Sequence, residues 1–561
     1  MPAGLVGMNP LSLRSWVLGA TAVVVASLSS VSAVRAHDGQ AHGDGFGSVD
    51  FPVSCSAHAQ SRFNRAVAML HTFSPAARGA FLAIAESEPD CTMAYWGVAM
   101  AARGNPLVGA LPAEAVQRGR EAIRKARATP AKTERERDWI EAVGAYFDGP
   151  PDRDRLSRVQ AYEAAMEGLR DRYPEDDEIE IFYALALNEA ADLSDMTYRR
   201  QIQAATILER LEGKLLEHPG IPHYLIHSYD YAPIAIKGEP AARRLARIAP
   251  ASAHALHMPS HIFSMLGLWQ DAIQADRATD DYIKATATGS GKAEPATLPG
   301  RYHSLDFLMN AHLQLAQDRE AKRILDERNS LETFPPGFIY SGHVAFAAIP
   351  VRYALERGDW LAASRLEISR TPFAQAAAVT EFARGLGAAR TGDAPAARVA
   401  LGQLANLRTQ LADAGEAYWA RQIDIYAKAV EAWALLAERR RREAVPLMRQ
   451  AAELEGASEK HVALENRLVP MRELLGEMLL EVRQPALALS EFGASLQTSP
   501  NRYRSFAGAA KAAERMGSDA APIARRYYEA LLRLAADADS ERPEMEAARR
   551  FLGERTLAQG H

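Results

Sequence analysis

Leu266-Gly267-Leu268-Trp269-Gln270-Asp271-Ala272 holds a helix end, a turn and a helix start within one short stretch. A glycine directly after apolar residues at helical spacing reads as a C-terminal stop, because glycine adopts the left-handed conformation that closes a helix. Apolar residues resume the helical period at once from Trp269 onward. The same order returns at Glu356-Arg357-Gly358-Asp359-Trp360, and Ala488, Phe492 and Pro500 mark a second helix that closes before a proline. Working outward, helices are expected over 61–71, 76–87, 92–103, 156–173, 179–191, 199–217, 259–266, 269–285, 303–315, 374–390, 418–437 and 485–496. No segment alternates apolar and polar residues as a half-buried strand does. The expected fold class is therefore all-α, a solenoid of stacked helix pairs over about residues 58 to 555. One such pair cannot bury its own apolar face, so neighbours must stack.

The chain has 561 residues, too many for one compact core. Its 48% hydrophobic and 24% charged residues exclude a mostly disordered polymer. Residues 103–114 and 287–300, rich in Gly, Pro and Ser or Asn, read as loops, and long ordered loops tend to border functional surfaces. The second loop separates N-terminal repeats, 58–286, from C-terminal repeats, 301–561.

At the N-terminus Arg14 precedes an apolar run, 16–28, and small residues end in Val34-Arg35-Ala36. This is the order of a secretory signal peptide, 1–36, cut after Ala36 or, alternatively, Ala33. The run is short for a membrane anchor, and no later stretch is long and apolar enough, so no membrane span is expected after cleavage. Residues 37–57, with His37 and His42, are expected to form a flexible segment. The expected location is periplasmic or secreted. An oxidising compartment would join the two cysteines of the chain, Cys55 and Cys91, in a disulfide. The net charge is −5, and removing 1–36 takes away two arginines and no acid. That balance excludes the basic footprint of a nucleic-acid binder. The basic run 439–442 is flanked by Glu438 and Glu443 and reads as a solvated face, as does the pair Glu473 and Glu477.

The turn pieces resemble the tetratricopeptide repeat, whose period is about 34 residues. Phe63-Asn64-Arg65-Ala66-Val67, Cys91-Thr92-Met93-Ala94-Tyr95-Trp96-Gly97, and the stretches 223–230 and 254–263 resemble a group of exported bacterial tetratricopeptide-repeat proteins. The resemblance implies a fold and carries no activity.

The concentrated chemical signal is histidine. Of 15 histidines, six fall within 218–261. His218 lies in a Glu-His-Pro-Gly turn and reads as incidental; His71 is a weaker candidate. In Pro222-His223-Tyr224-Leu225-Ile226-His227-Ser228-Tyr229-Asp230, proline suits a first helical position. His223 and His227 are then one turn apart on one face, with Asp230 beside them. In His254-Ala255-Leu256-His257-Met258-Pro259-Ser260-His261, spacings of three and four line the histidines on one stripe, and Pro259 kinks or starts a helix there. His223 and His257 are 34 residues apart, as are His227 and His261. In a tetratricopeptide array those are corresponding positions of adjacent first helices, which line the concave face. An offset of 49 carries His254 to His303, His257 to Asp306 and His261 to Asn310.

Imidazoles one turn apart are a standard helical chelate. The candidate metal ligands are His223, His227, His254, His257, His261, His303 and Asp306, with Zn, Cu, Ni or Fe as the ion. Seven ligands exceed the need of one ion, so some lie behind the ligands or there are two ions. Two other readings stay open, a scaffold that takes a protein or peptide in the concave groove and a metal-dependent enzyme on the repeat scaffold. A ladder of packed histidines is the purely structural alternative. The zinc-protease motif, a phosphate-binding glycine loop and a haem attachment motif are all missing from the sequence.

Overall fold

The computed structural model describes residues 45–150, 152–192, 194–290, 298–330, 340–461 and 464–553. The expected signal peptide and residues 37–44 lie outside them. All regular structure among the described residues is helical, from Ala57–His71 to Pro543–Leu552. The described helices stack as an α-solenoid in which each packs on the next. First helices of successive pairs also touch: Ala374–Arg390 packs on both Ala394–Asp413 and Ala417–Ala437. Helices Asp177–Glu189, Gly220–Tyr229, Pro259–Leu266, Leu298–Gln314 and Tyr340–Glu356 lie side by side in that order.

Local chemistry sets the ends. Ser56, Thr133, Asp154 and Asp176 each accept a backbone N–H of the following first turn, which satisfies donors a helix start leaves unpaired. Gly267 closes Pro259–Leu266 at φ 66°. A Cβ there would also sit 2.4 Å from the Pro500 carbonyl oxygen, so glycine is required twice over. The turn docks on a distant one, since the Trp269 indole N–H donates to the Asn501 carbonyl at 2.7 Å. Residues 103–112 form the expected irregular segment. The helices flanking the second expected loop run on to Ser290 and resume at Leu298. Residues 291–297 lie outside the described set.

Residues 45–56, expected as part of a flexible segment, form a packed strap. Phe51 is buried against Phe63, Trp96 and Trp139 with ring centroids 5.1–5.4 Å apart. Cys55, on this strap, is bonded to Cys91 at the start of Thr92–Ala102, with Cα atoms 5.2 Å apart. Glu473 and Glu477 do not form a solvated face. Glu473 is buried against Arg502 at 3.1 Å, and Glu477 pairs with Arg390 at 2.5 Å.

A non-helical stretch near residue 460 returns to the first half of the chain. Lys460 Nζ meets Asp230 at 2.7 Å, the Tyr198 hydroxyl donates to Glu459, and Asn466 donates to the Ser264 carbonyl at 3.0 Å. This segment lies over the helices that carry the histidines.

Candidate metal centre

All ten residues of Gly220–Tyr229 are buried, so His223 and His227 point into protein. Pro259 starts its own helix, and Ala253–His257 is a short helix leading up to it. His254 meets His223 on the 220–229 helix, while His257 and His261 meet His303. The candidates therefore form two trios. His223, His227 and His254 bring one ring nitrogen each within 4.8 Å of one another, and so do His257, His261 and His303. Nε2 of His223 lies 3.2 Å from that of His227 and 3.1 Å from that of His254. Nε2 of His257 lies 3.1 Å from that of His261. Two imidazole nitrogens at bonding distance from one tetrahedral ion sit about 3.3 Å apart. The trios adjoin, because His254 and His257 are three residues apart on one helix.

The outer ring nitrogens decide what the inner ones present. His257 Nδ1 lies 2.6 Å from Asp276, and His261 Nδ1 lies 2.9 Å from Asp230. Burial, opposed by Lys460, leaves the Asp230 carboxyl at about 6, so it is ionised at neutral pH and accepts. Burial also raises Asp276, and the His257 ring opposes it. With N–H on Nδ1, both Nε2 atoms are bare lone pairs facing each other across 3.1 Å. In the first trio His223 donates from Nδ1 to the His71 carbonyl at 2.6 Å, again leaving Nε2 bare. His227 Nδ1 and His303 Nδ1 are buried without a hydrogen-bond partner among the described residues.

Burial, reinforced by neighbouring imidazoles, holds His223, His227, His254, His261 and His303 well below the usual histidine range. They are neutral at neutral pH, the state that binds metal. Each trio has a phenylalanine wall. Phe73, at φ 51°, sets its ring 4.5 Å from His223, and Phe307 sits 4.7–5.0 Å from all three rings of the second trio. A bulky residue in the left-handed region costs about 1–3 kcal/mol, so the position of Phe73 is bought by its surroundings.

Asp306 does not join the histidines. Arg352 binds it at 2.9 Å and also holds the Asn466 carbonyl at 2.6 Å, so Asp306 helps fasten the returning segment. Asn310, the other residue the offset pointed to, accepts from Gln314 instead. His218 is not incidental. Its Nε2 donates to Glu178 at 2.9 Å, and His71 donates to the same carboxylate at 3.0 Å. His71 Nδ1 accepts from the Tyr224 hydroxyl at 2.9 Å and His218 Nδ1 from the Gly220 N–H at 3.1 Å. Burial would raise Glu178, but the two histidines hold it down at about 2. Every ring nitrogen here already has a partner, so this cluster braces His71 beneath His223 and leaves no lone pair for an ion. Asp276 and Lys460 were not legible as site residues: one is an acid among many on its helix, the other lies far away in sequence.

No family model matches this chain, and no curated protein matches it. Among solved structures it is similar to a monomeric mutant of IFIT1 with Gppp-AAAA, at 10% identity and a TM-score of 0.34, covering 89% of this chain and 96% of that one. So distant a likeness carries nothing about the chemistry of this chain.

Proposed function

We propose that this is an exported helical-repeat protein whose interior holds two adjacent transition-metal ions, each bound by three histidines. The observation that carries this reading is the pair His257 and His261. Two lone pairs forced together in a buried site repel, and a cation between them removes the repulsion. Three neutral imidazoles leave a four-coordinate ion one open position, the pattern of catalytic zinc sites and not of closed structural ones. Imidazole with no directly ligating carboxylate suits Zn or Cu ahead of Fe. We therefore favour a metal-dependent enzyme over a passive scaffold. A peptide groove at these helices is disfavoured because the segment around Lys460 already lies across them. The signal-like N-terminus and the Cys55–Cys91 bond support a periplasmic or secreted location.

Elemental analysis of mature protein tests the metal reading, and its intact mass tests export. The mass should lack residues 1–36 and show no free thiol. A retained leader together with free thiols at Cys55 and Cys91 would overturn the export assignment.

A further inference from the structure

Beside His227 lies a small cavity of about 80 Å³, bounded among others by Arg155, Asn188, Glu189, Tyr231 and His461. A water needs roughly 15 Å³ of such space, so the cavity takes a group of about five heavy atoms. Its walls hold buried polar atoms without hydrogen-bond partners among the described residues: Arg155 Nε, Asn188 Oδ1 and His227 Nδ1. The charges around it are unbalanced toward positive. Glu189 is neutralised by its ion pair with buried Arg103, and burial holds His461 at about 3, so its ring is neutral. Arg155 donates to the Pro106 carbonyl at 3.1 Å and pairs with no carboxylate among the described residues.

Arg155 faces two ways. It also lines an open groove of about 710 Å³ whose walls carry Arg118, Arg120, Arg153 and Arg158 against a single acid, Glu114. Several of these guanidinium groups hold backbone carbonyls: Arg120 binds those of Phe147 and Gly149, and Arg153 binds those of Ala145 and Asp148. Such bonds fix the arginines in place without cancelling their charge. Residues 107–111 run between the two spaces, with Leu107 and Gly109 on the cavity and Ala110 and Leu111 on the groove. A groove lined by one sign of charge concentrates ions of the other sign at its inner end.

We propose that the arginine groove gathers a small oxyanion, a carboxylate or a phosphate, and that Arg155 seats it in the cavity against His227. The Arg155 Nε–H donates to an anion oxygen, and Asn188 Oδ1 accepts from a hydroxyl or amine of the same molecule. The anion seat stands on the cavity and the groove alone. That the anion also acts, through the ring of His227, on an ion at His223, His227 and His254 rests on the proposed function.

The test uses the mature full chain and two probes, acetate and inorganic phosphate, followed by calorimetry on metal-stripped protein. Saturable binding of at least one is expected, weakened about tenfold or more by Arg155→Gln and partly restored by Arg155→Lys. Circular dichroism checks that the variants fold. Which probe binds separates a carboxylate from a phosphate ligand. No saturable binding of either, or equal binding by wild type and Arg155→Gln, would overturn the seat whatever the metal content. On protein loaded with Co(II), addition of the binding anion should change the visible absorption. An unchanged spectrum with Arg155-dependent binding would overturn the link between the anion and the ion, and leave metal uptake itself to be judged separately.

Discussion

His257 and His261 turn Nε2 atoms to within 3.1 Å of each other while each donates its outer N–H to a buried carboxylate, Asp276 and Asp230 respectively. The carboxylates fix the tautomers, and the tautomers aim two lone pairs at one point. Removing a carboxylate should therefore act on metal affinity without touching a ligand. Asp276→Asn is expected to lower affinity about 10- to 100-fold. Asp306→Asn, which loosens Arg352 and the returning segment, should lower thermal stability and leave metal affinity within a few-fold. Equal metal affinities for wild type and Asp276→Asn would break this account of the second trio.

The trios differ in what stands behind them. His257 and His261 are backed by carboxylates, whereas His223 is backed by a carbonyl and His227 by nothing among the described residues. A carboxylate behind an imidazole makes it a stronger donor to a dication. A divalent metal should thus fill the site of His257, His261 and His303 first. A competition titration should show two steps, with His223→Ala abolishing the weaker one and His257→Ala the tighter. A single step lost equally in both variants would argue against unequal sites.

The path from sequence to structure was uneven in an instructive way. Helices Ala76–Ser87, Pro259–Leu266 and Ala374–Arg390 were legible to the residue, because glycine, proline and the apolar period act locally. Histidines one turn apart, the 34-residue spacing and the 49-residue offset point to the six histidines that come together. Repeat spacing could not say that they divide into two trios, because the division depends on which ring each imidazole meets across helices: His254 meets His223, whereas His257 meets His303. It also wrongly enrolled Asp306, whose partner Arg352 lies on another helix. His218 looked incidental in its turn; what makes it structural is Glu178, on the helix Asp177–Glu189 and distant in sequence.

That bracing role has its own test. His218→Ala leaves Glu178 buried with one partner fewer, a change that costs about 2–3 kcal/mol. Thermal or denaturant unfolding should show that loss while metal stoichiometry stays at the wild-type value. Loss of an ion with His218→Ala would mean that this cluster also binds metal.

Acid should unfold the metal-stripped protein early. The five depressed histidines take protons more readily unfolded than folded, so the unfolded state binds more protons below its ordinary value. Their contribution is complete above about pH 6.5 and falls as pH drops from there toward the folded values, by up to ~1.4 kcal/mol per histidine per pH unit. Denaturant midpoints should hold from pH 7.5 to about 6.5 and decline from there to pH 5, and replacing His227 and His303 with Gln should flatten that decline. A flat profile across that range would mean that these rings are not held neutral.

The central claim is that two ions sit among these six histidines, and metal content tests it most directly. Mature protein, produced with its own leader and purified without chelators, should carry close to two transition-metal ions per chain by elemental mass spectrometry. His223→Ala should leave about one, and joint replacement of His223 and His257 about none. Wild-type protein with negligible Zn, Cu, Ni and Fe, whose stripped form also takes up none of them in calorimetry, would contradict the account and leave the histidines as packing.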